Sequence, residues 1–168
     1  MQLKTTRKIF CIALTLLGIL LDSAVLPFTG LNMSYVPRIC LINIISIATV
    51  MGATRGIIYG AAGGILLDIT VYQPTGLISL LYTVMGLVSG FLTHRVRKPL
   101  VTVVPPLVSL VLFEVSMTFY YYFNTGVFPA TRILPALIRI AIGFVLVQLL
   151  FIPCLRILKP AKIGKTRR

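Results

Sequence analysis

The sequence predicts an all-α, polytopic membrane protein of about six transmembrane helices, and three observations carry this prediction. First, the 168 residues are 58% hydrophobic and 11% charged, which is too little charge to cover the surface of a soluble domain. Second, the apolar residues fall into six runs, each near the ~20 residues that a helix needs to cross a bilayer. Third, the runs show no strand-like alternation of apolar and polar residues, so helices are predicted.

The six predicted spans succeed one another with short breaks and form one integral membrane domain over residues 1–168. They cover residues 9–28, 36–53, 56–72, 76–93, 100–123 and 130–155. The first run comes after basic residues, as in a signal peptide. It is long, contains Asp22 and lacks a small-x-small cleavage site, so we interpret it as an uncleaved span.

Breaks between the spans carry turn-forming residues. Only Thr54 and Arg55 separate the second and third spans, which predicts a tight hairpin or a partly re-entrant segment. The stretch from Gln73 to Gly76 predicts a turn that opens the fourth span. Adjacent prolines inside the fifth span, at 105 and 106, predict a kink or local unwinding there.

The basic residues predict that both termini lie in the cytoplasm. With this orientation 13 of the 16 Lys and Arg residues are cytoplasmic, Arg38 and Arg132 are outside, and Arg139 lies within the sixth span. Such asymmetry is the positive-inside pattern. The net charge of +13 is therefore read as a topology signal, and because the clusters are not interleaved with aromatic residues, nucleic-acid binding is not predicted.

Glycines recur at helical spacing on two neighbouring spans. Gly56, Gly60 and Gly64 form a stripe along the third span, and Gly86 and Gly90 repeat the spacing on the fourth. Small residues four apart let two helix backbones approach closely in lipid, where no hydrophobic drive joins them. Packing within the chain is the favoured interpretation, and packing against a partner's helix is the alternative.

Charged residues inside the spans are costly and mark structural or functional sites. The only acidic residues, Asp22, Asp68 and Glu114, all fall within spans. Glu114 lies ~21 Å and Arg139 ~17 Å from the cytoplasmic side, taking 1.5 Å per helical residue and a ~30 Å bilayer core. Their similar depth on consecutive spans predicts an ion pair, for which a structural role is favoured over a relay or a substrate contact.

Asp22 and Asp68 both lie near the outer ends of their spans. Two carboxylates at one level could bind a cation or a basic ligand, or they could be hydrated at the interface. His94, the single histidine, lies among cytoplasmic basic residues and is interpreted as a solvated loop residue. No wider set of ligands accompanies these groups, so neither a metal nor a cofactor is predicted.

Signatures of enzymes are missing from the sequence. It has no HExxH motif, no GxxxxGK[ST] loop, and no second histidine to complete a hydrolytic triad. The three cysteines, Cys11, Cys40 and Cys154, are far apart in apolar runs and are interpreted as apolar filler. The sequence therefore predicts a non-enzymatic protein.

The glycine stripe and the turn after it resemble the rod shape-determining protein MreD family. The motif that carries this resemblance is the stretch from Gly56 to Asp68, then Pro74 and Gly76 at the start of the next span. Length, span count and basic C-terminal tail are also similar. By this resemblance, Asp68 and the glycine stripe fix the fold or a partner-binding face. The roles suggested for Glu114 and Arg139 come from the residues alone.

The resemblance implies a scaffold in the bacterial inner membrane that serves the cell-elongation complex and peptidoglycan synthesis. Its expected partners are an MreC-like protein, a RodA-type glycosyltransferase, a transpeptidase and MreB-type filaments.

A second resemblance is to the substrate-binding component of energy-coupling-factor vitamin transporters, which also have six short helices with small-residue stripes. Here Ala13, Gly18 and Ala24 on the first span form no AxxxA stripe, and the outer loops are short. Both departures favour the scaffold, and the transporter component remains the alternative.

Overall fold

A computed structural model describes residues 2–25, 35–70, 76–97, 100–126 and 133–158. All the regular secondary structure in these ranges is helical, which confirms the all-α prediction. The helices are α1 (Gln2–Leu20), α2 (Ile39–Met51), α3 (Ala53–Thr70), α4 (Leu77–Arg95), α5 (Val104–Thr125) and α6 (Ile133–Leu158). A π-helical turn, Leu21–Val25, continues α1.

Helix α2 is the centre of the bundle, and each of the other five described helices packs against it. Every residue from Cys40 to Val50 is buried. The helix is apolar on all sides, as expected of a helix surrounded by protein rather than lying at a boundary. The other helices also pack in sequence around it, α1 on α3, α3 on α4, α4 on α5 and α5 on α6.

Successive helices run in opposite directions. The contacts between them show this, because residue numbers rise on one helix as they fall on the next. The contacting pairs are Leu14–Asn43 and Asp22–Cys40 for α1 and α2, Cys40–Gly63 and Ala48–Gly56 for α2 and α3, Gly56–Gly86 and Gly64–Ser79 for α3 and α4, and Thr102–Gln148 and Glu114–Arg139 for α5 and α6. Helix α6 runs parallel to α2, because Gly143 faces Pro37 and Phe151 shares an apolar cluster with Val50. The start of α1 and the end of α6 therefore lie at one end of the bundle, called here the N-terminal end.

Three of the described helices are long and apolar enough to cross a membrane: Leu77–Arg95, Val104–Thr125 and Ile133–Cys154. Helix α2 is apolar but has 13 residues, about 20 Å at 1.5 Å per residue, which is less than the bilayer core. The outer surface carries many large apolar side chains, such as Ile69 and Phe123, each about 70% exposed. Such a surface is typical of a protein in contact with lipid.

Two expectations from the sequence are wrong: the position of one helix break and the kink at the adjacent prolines. The break between the second and third spans lies at Gly52, where φ is +93°, and Thr54 and Arg55 already belong to α3. Glycine adopts this φ without the steric penalty of a side chain. The adjacent prolines do not kink α5, because they occupy its first turn, where no intrahelical N–H bond is lost. His94 is exposed as expected, although it lies in the last turn of α4 rather than in a loop.

Candidate functional site

The glycine stripe of α3 lies directly against the backbone of α4. A Cβ atom added to Gly60 would lie 2.5 Å from the carbonyl oxygen of Tyr82. One added to Gly56 would collide with the carbonyl group of Gly86, and one added to Gly64 with the Cα atom of Ser79. Backbone atoms cannot move aside as a flexible side chain can, so these three positions require glycine.

The glycines of α4 complete the same contact from the other side. A Cβ atom on Gly86 would meet the backbone of Gly56, and one on Gly90 would meet the backbone of Ala53. The sequence left open whether the stripe serves this chain or a partner. The structure uses it inside the chain, so this face is covered by α4 and is not open to a partner's helix.

Two polar contacts that the sequence analysis missed hold α2 to its neighbours. The hydroxyl groups of Thr49 and Ser89 are hydrogen-bonded at 2.9 Å between α2 and α4. The Asn43 amide donates to the carbonyl oxygen of Leu14 at 2.7 Å, which fixes α2 against α1. A signal existed for both, since Asn43 is a lone amide in an apolar run and Ser89 lies between two stripe positions.

Asp22 caps the start of α2 from across the first interhelical connection. Its two carboxylate oxygens accept hydrogen bonds from the backbone N–H groups of Ile39 at 2.8 Å and Cys40 at 2.9 Å. These are among the N–H groups that a helix leaves without an internal partner. Arg38, at the N-cap position, makes no side-chain capping bond, so Asp22 supplies the acceptor.

Asp68 does the same for α4. One carboxylate oxygen accepts a hydrogen bond from the backbone N–H of Ser79 at 3.0 Å. Gly76 occupies the N-cap position in a left-handed conformation, with φ of +66°, and has no side chain to cap with. Asp68 is 6% exposed, which argues against the alternative in which it is hydrated at the interface. Pro74 lies outside the described residues.

The ion pair expected between Glu114 and Arg139 is present between α5 and α6. The guanidinium donates from Nε to Glu114 Oε1 at 3.0 Å and from Nη2 to Oε2 at 2.6 Å. This two-point geometry is the strong form of an arginine–carboxylate contact. The side chain of Arg139 is 23% exposed and that of Glu114 is 12% exposed, so the pair is largely removed from the surrounding solvent or lipid.

The three carboxylates of the chain therefore share one arrangement. Each sits on an odd-numbered helix, or directly after it, and binds the next helix in the chain: Asp22 binds α2, Asp68 binds α4, and Glu114 binds α6. Within the described ranges no three metal-ligating side chains come together. The cation site considered for Asp22 and Asp68 has no support, because both bind backbone N–H groups.

A small cleft beside the ion pair contains a residue that the sequence analysis counted only as an outer loop charge. It lies between the start of α2 and helices α5 and α6, and Arg38, Phe113, Glu114 and Arg139 contribute to its lining. The guanidinium of Arg38 lies 5.8 Å from the centre of the Phe113 ring. Nothing in the local sequence distinguishes Arg38 from a solvated loop residue.

The fold and these contacts define a class: a helical membrane protein whose small, polar and charged residues hold its helices together. A comparison with protein families then makes the assignment. The rod shape-determining protein MreD family matches residues 3–159, nearly the whole chain, and the protein belongs to this family. It is a membrane protein of the machinery that determines rod shape, in a family of structural proteins. Searches of curated proteins and of solved structures gave no match.

Proposed function

We propose that this protein is a non-enzymatic scaffold of the bacterial cell-elongation complex and binds an MreC-like partner in the inner membrane. The observation that carries the proposal is the family match over residues 3–159. The use of the polar groups supports it, since all three carboxylates bind a neighbouring helix of the same chain. The RodA-type glycosyltransferase, the transpeptidase and MreB-type filaments would then act around this scaffold.

In this proposal all six helices cross the membrane, with both termini in the cytoplasm. The alternating directions of the described helices support an even number of crossings. The charge distribution supports the orientation, because Arg55, Arg95 and Arg97 lie at the N-terminal end, whereas Asp22 and Asp68 lie at the opposite end. A C-terminal green fluorescent protein fusion should fluoresce, and a C-terminal alkaline phosphatase fusion should be inactive. The reverse pattern would overturn the orientation.

Partner binding on this scaffold has to use surfaces other than the glycine stripe. The stripe is covered by α4, whereas the outward faces of the five helices around α2 carry exposed apolar side chains. The mechanism we propose is organisational: the bundle presents a fixed outer surface on which partner membrane helices are held in a productive arrangement.

Purification tests the proposal. The tagged full-length chain is extracted from native membranes in mild detergent, and co-purified proteins are quantified by mass spectrometry. An MreC-like protein and wall-synthesis enzymes are expected above the level seen with an unrelated tagged membrane protein. Recovery of two ATP-hydrolysing subunits with a coupling membrane protein would instead identify a transporter component and overturn the scaffold.

A further inference from the structure

Arg38 is a half-buried cation at the start of α2 that makes no ion pair within the described part of the chain. Its guanidinium faces the ring of Phe113 at 5.8 Å. A cation–π contact attracts the face of the guanidinium, but it does not bond to the five N–H donors, which point outward in the plane of the group. Charged side chains in a lipid environment normally have a partner that accepts their hydrogen bonds, and no carboxylate in the described part of the chain does so for Arg38.

The carboxylates of the chain are committed elsewhere. Both oxygens of Asp22 accept backbone N–H groups at the start of α2, and Glu114 binds Arg139 at two points. Asp68 serves α4, where it binds the N–H of Ser79. Asp22 is near enough to attract Arg38 but lies beyond ion-pair distance. The cleft itself has two guanidinium groups and one carboxylate, a formal charge of +1.

A second incompletely satisfied group lies near Arg38. The hydroxyl of Tyr82 is buried and is close enough to Arg38 for the two to interact electrostatically. Arg38 is within reach of a weak hydrogen bond to this hydroxyl that lacks full geometry, and no other group in the described part of the chain bonds to it. The Tyr82 ring contacts Phe113 edge to face at 5.8 Å, so Phe113 touches both polar residues. Buried polar groups in this state are rare and call for a missing partner.

The size of the cleft limits what that partner is. Its volume is about 10 Å³, room for about one water-sized group. The cleft is open to the surface of the bundle, so the tip of a side chain carried by a neighbouring helix can enter it. An acidic side chain fits both the space and the charge.

We propose that Arg38 is the counter-ion for an aspartate or glutamate in the membrane helix of a partner protein that packs against the α5–α6 side of the bundle. This inference rests on the proposed scaffold function and adds the chemistry of the contact. The partner's carboxylate would enter the cleft from the outer half of its membrane helix and bind the free N–H donors of Arg38.

The test is quantitative co-purification of the MreC-like protein of the same bacterium with the full-length chain. Arg38→Gln should weaken the association at least about 30-fold, the usual lower bound for losing one partner of a buried charge pair at an interface. Arg97→Gln is the matched control. It removes the same charge at an exposed position of the opposite end and should leave recovery unchanged.

The partner's own carboxylates give a second measurement that does not depend on how Arg38→Gln folds. Replacing the relevant partner aspartate or glutamate by its amide should reduce recovery equally. Combining Arg38→Asp with arginine at that partner position should restore it, which a merely structural role of Arg38 would not allow.

Three outcomes would overturn the inference. In the first, recovery of the MreC-like protein is unchanged in both Arg38→Gln and Arg38→Asp. In the second, replacing the acidic residues of the partner's membrane helix leaves its recovery unchanged. A bound lipid that native mass spectrometry shows in the wild type and not in Arg38→Gln would assign the cleft to a phosphate. If the wild-type chain recovers no MreC-like protein, the proposed function fails together with the inference. Unchanged recovery in the variants removes the inference alone.

Discussion

The α3–α4 hairpin and the α5–α6 hairpin solve the same packing problem in opposite ways. In the first, glycines on both helices bring backbone against backbone, and a Cβ atom on Gly60 would lie 2.5 Å from a carbonyl oxygen. In the second, a Cβ atom on Gly143 would meet the Leu110 side chain at 3.5 Å, an ordinary contact. There, bulky side chains separate the helices and an ion pair joins them.

This difference assigns different roles to the two halves. A hairpin closed by backbone contact leaves no room for another helix between α3 and α4, and it forms a tightly packed frame beside α2. The α5–α6 side has a polar cleft lined by Arg38, which makes no ion pair with the described residues. Helices in lipid associate through close packing and through polar contacts. The glycine stripe uses the first means within the chain, and our proposal assigns the second to a partner on the α5–α6 side.

The largest expected effect comes from adding a single methyl group to the tight hairpin. Gly60→Ala should lower the free energy of unfolding by about 2–3 kcal/mol, the upper range for overpacking, because the Tyr82 carbonyl cannot move without separating the helices. Gly143→Ala, the same change in the looser hairpin, should have an effect below about 0.5 kcal/mol. Unfolding in mixed micelles measures both. Equal effects would remove the distinction between the hairpins.

The ion pair should show the next largest effect. Glu114→Gln or Arg139→Gln alone should cost about 1–2 kcal/mol, since each leaves a charge unpaired between helices. The double variant should be less destabilised than the sum of the single changes. A double-mutant cycle in mixed micelles gives the coupling. Simple additivity would mean that the contact contributes nothing specific.

The two capping aspartates should differ from each other. Asp22→Asn should cost about 1 kcal/mol, because an amide keeps one acceptor where Asp22 uses both oxygens. Asp68→Asn should cost less than about 0.5 kcal/mol, because Asp68 uses one oxygen and the other is buried with no partner in the described residues. Thermal unfolding in detergent ranks the two variants, and the opposite order would contradict the capping geometry.

An effect smaller than that at Asp22 is expected at the hydroxyl contact between α2 and α4. Ser89→Ala removes its bond to Thr49 and should cost about 0.6 kcal/mol, the average for interhelical hydrogen bonds in membranes. Ser116→Ala is the control, because its hydroxyl bonds to Leu112 of the same helix on an outer face. Mixed-micelle unfolding of the two should separate them. A neutral Ser89→Ala would show that the hydroxyl contact does not help to hold α4 against α2.

Much of this arrangement could be predicted because it depends on local periodicity and on the free energy of charges in lipid. Glycines four apart on consecutive spans predict a close helix pair, and opposite charges at one depth predict a bond. Both are present, at Gly56 with Gly86 and at Glu114 with Arg139. The number of membrane crossings and the orientation remain predictions.

The other features depend on contacts distant in sequence. Asp22 caps a helix that starts 17 residues later, and periodicity says nothing about which N–H groups a carboxylate will face across a connection. Arg38 was predicted only as an outer loop charge. That it makes no ion pair with a described residue follows from where the three carboxylates bind, which the sequence does not show. The helix break was assigned to Thr54 and Arg55 on polarity, whereas the backbone conformation of Gly52 decides it.

The most direct test of the account compares the two halves of the bundle in living cells. A photo-crosslinking residue is placed at Leu137 on α6 or at Ile65 on α3, which are 59% and 51% exposed and lie towards the same end of the bundle. We expect the yield of adduct with the MreC-like protein to be much higher from Leu137 than from Ile65. Adducts at Ile65 equal to or stronger than those at Leu137 would contradict it and place the partner on the glycine-packed half.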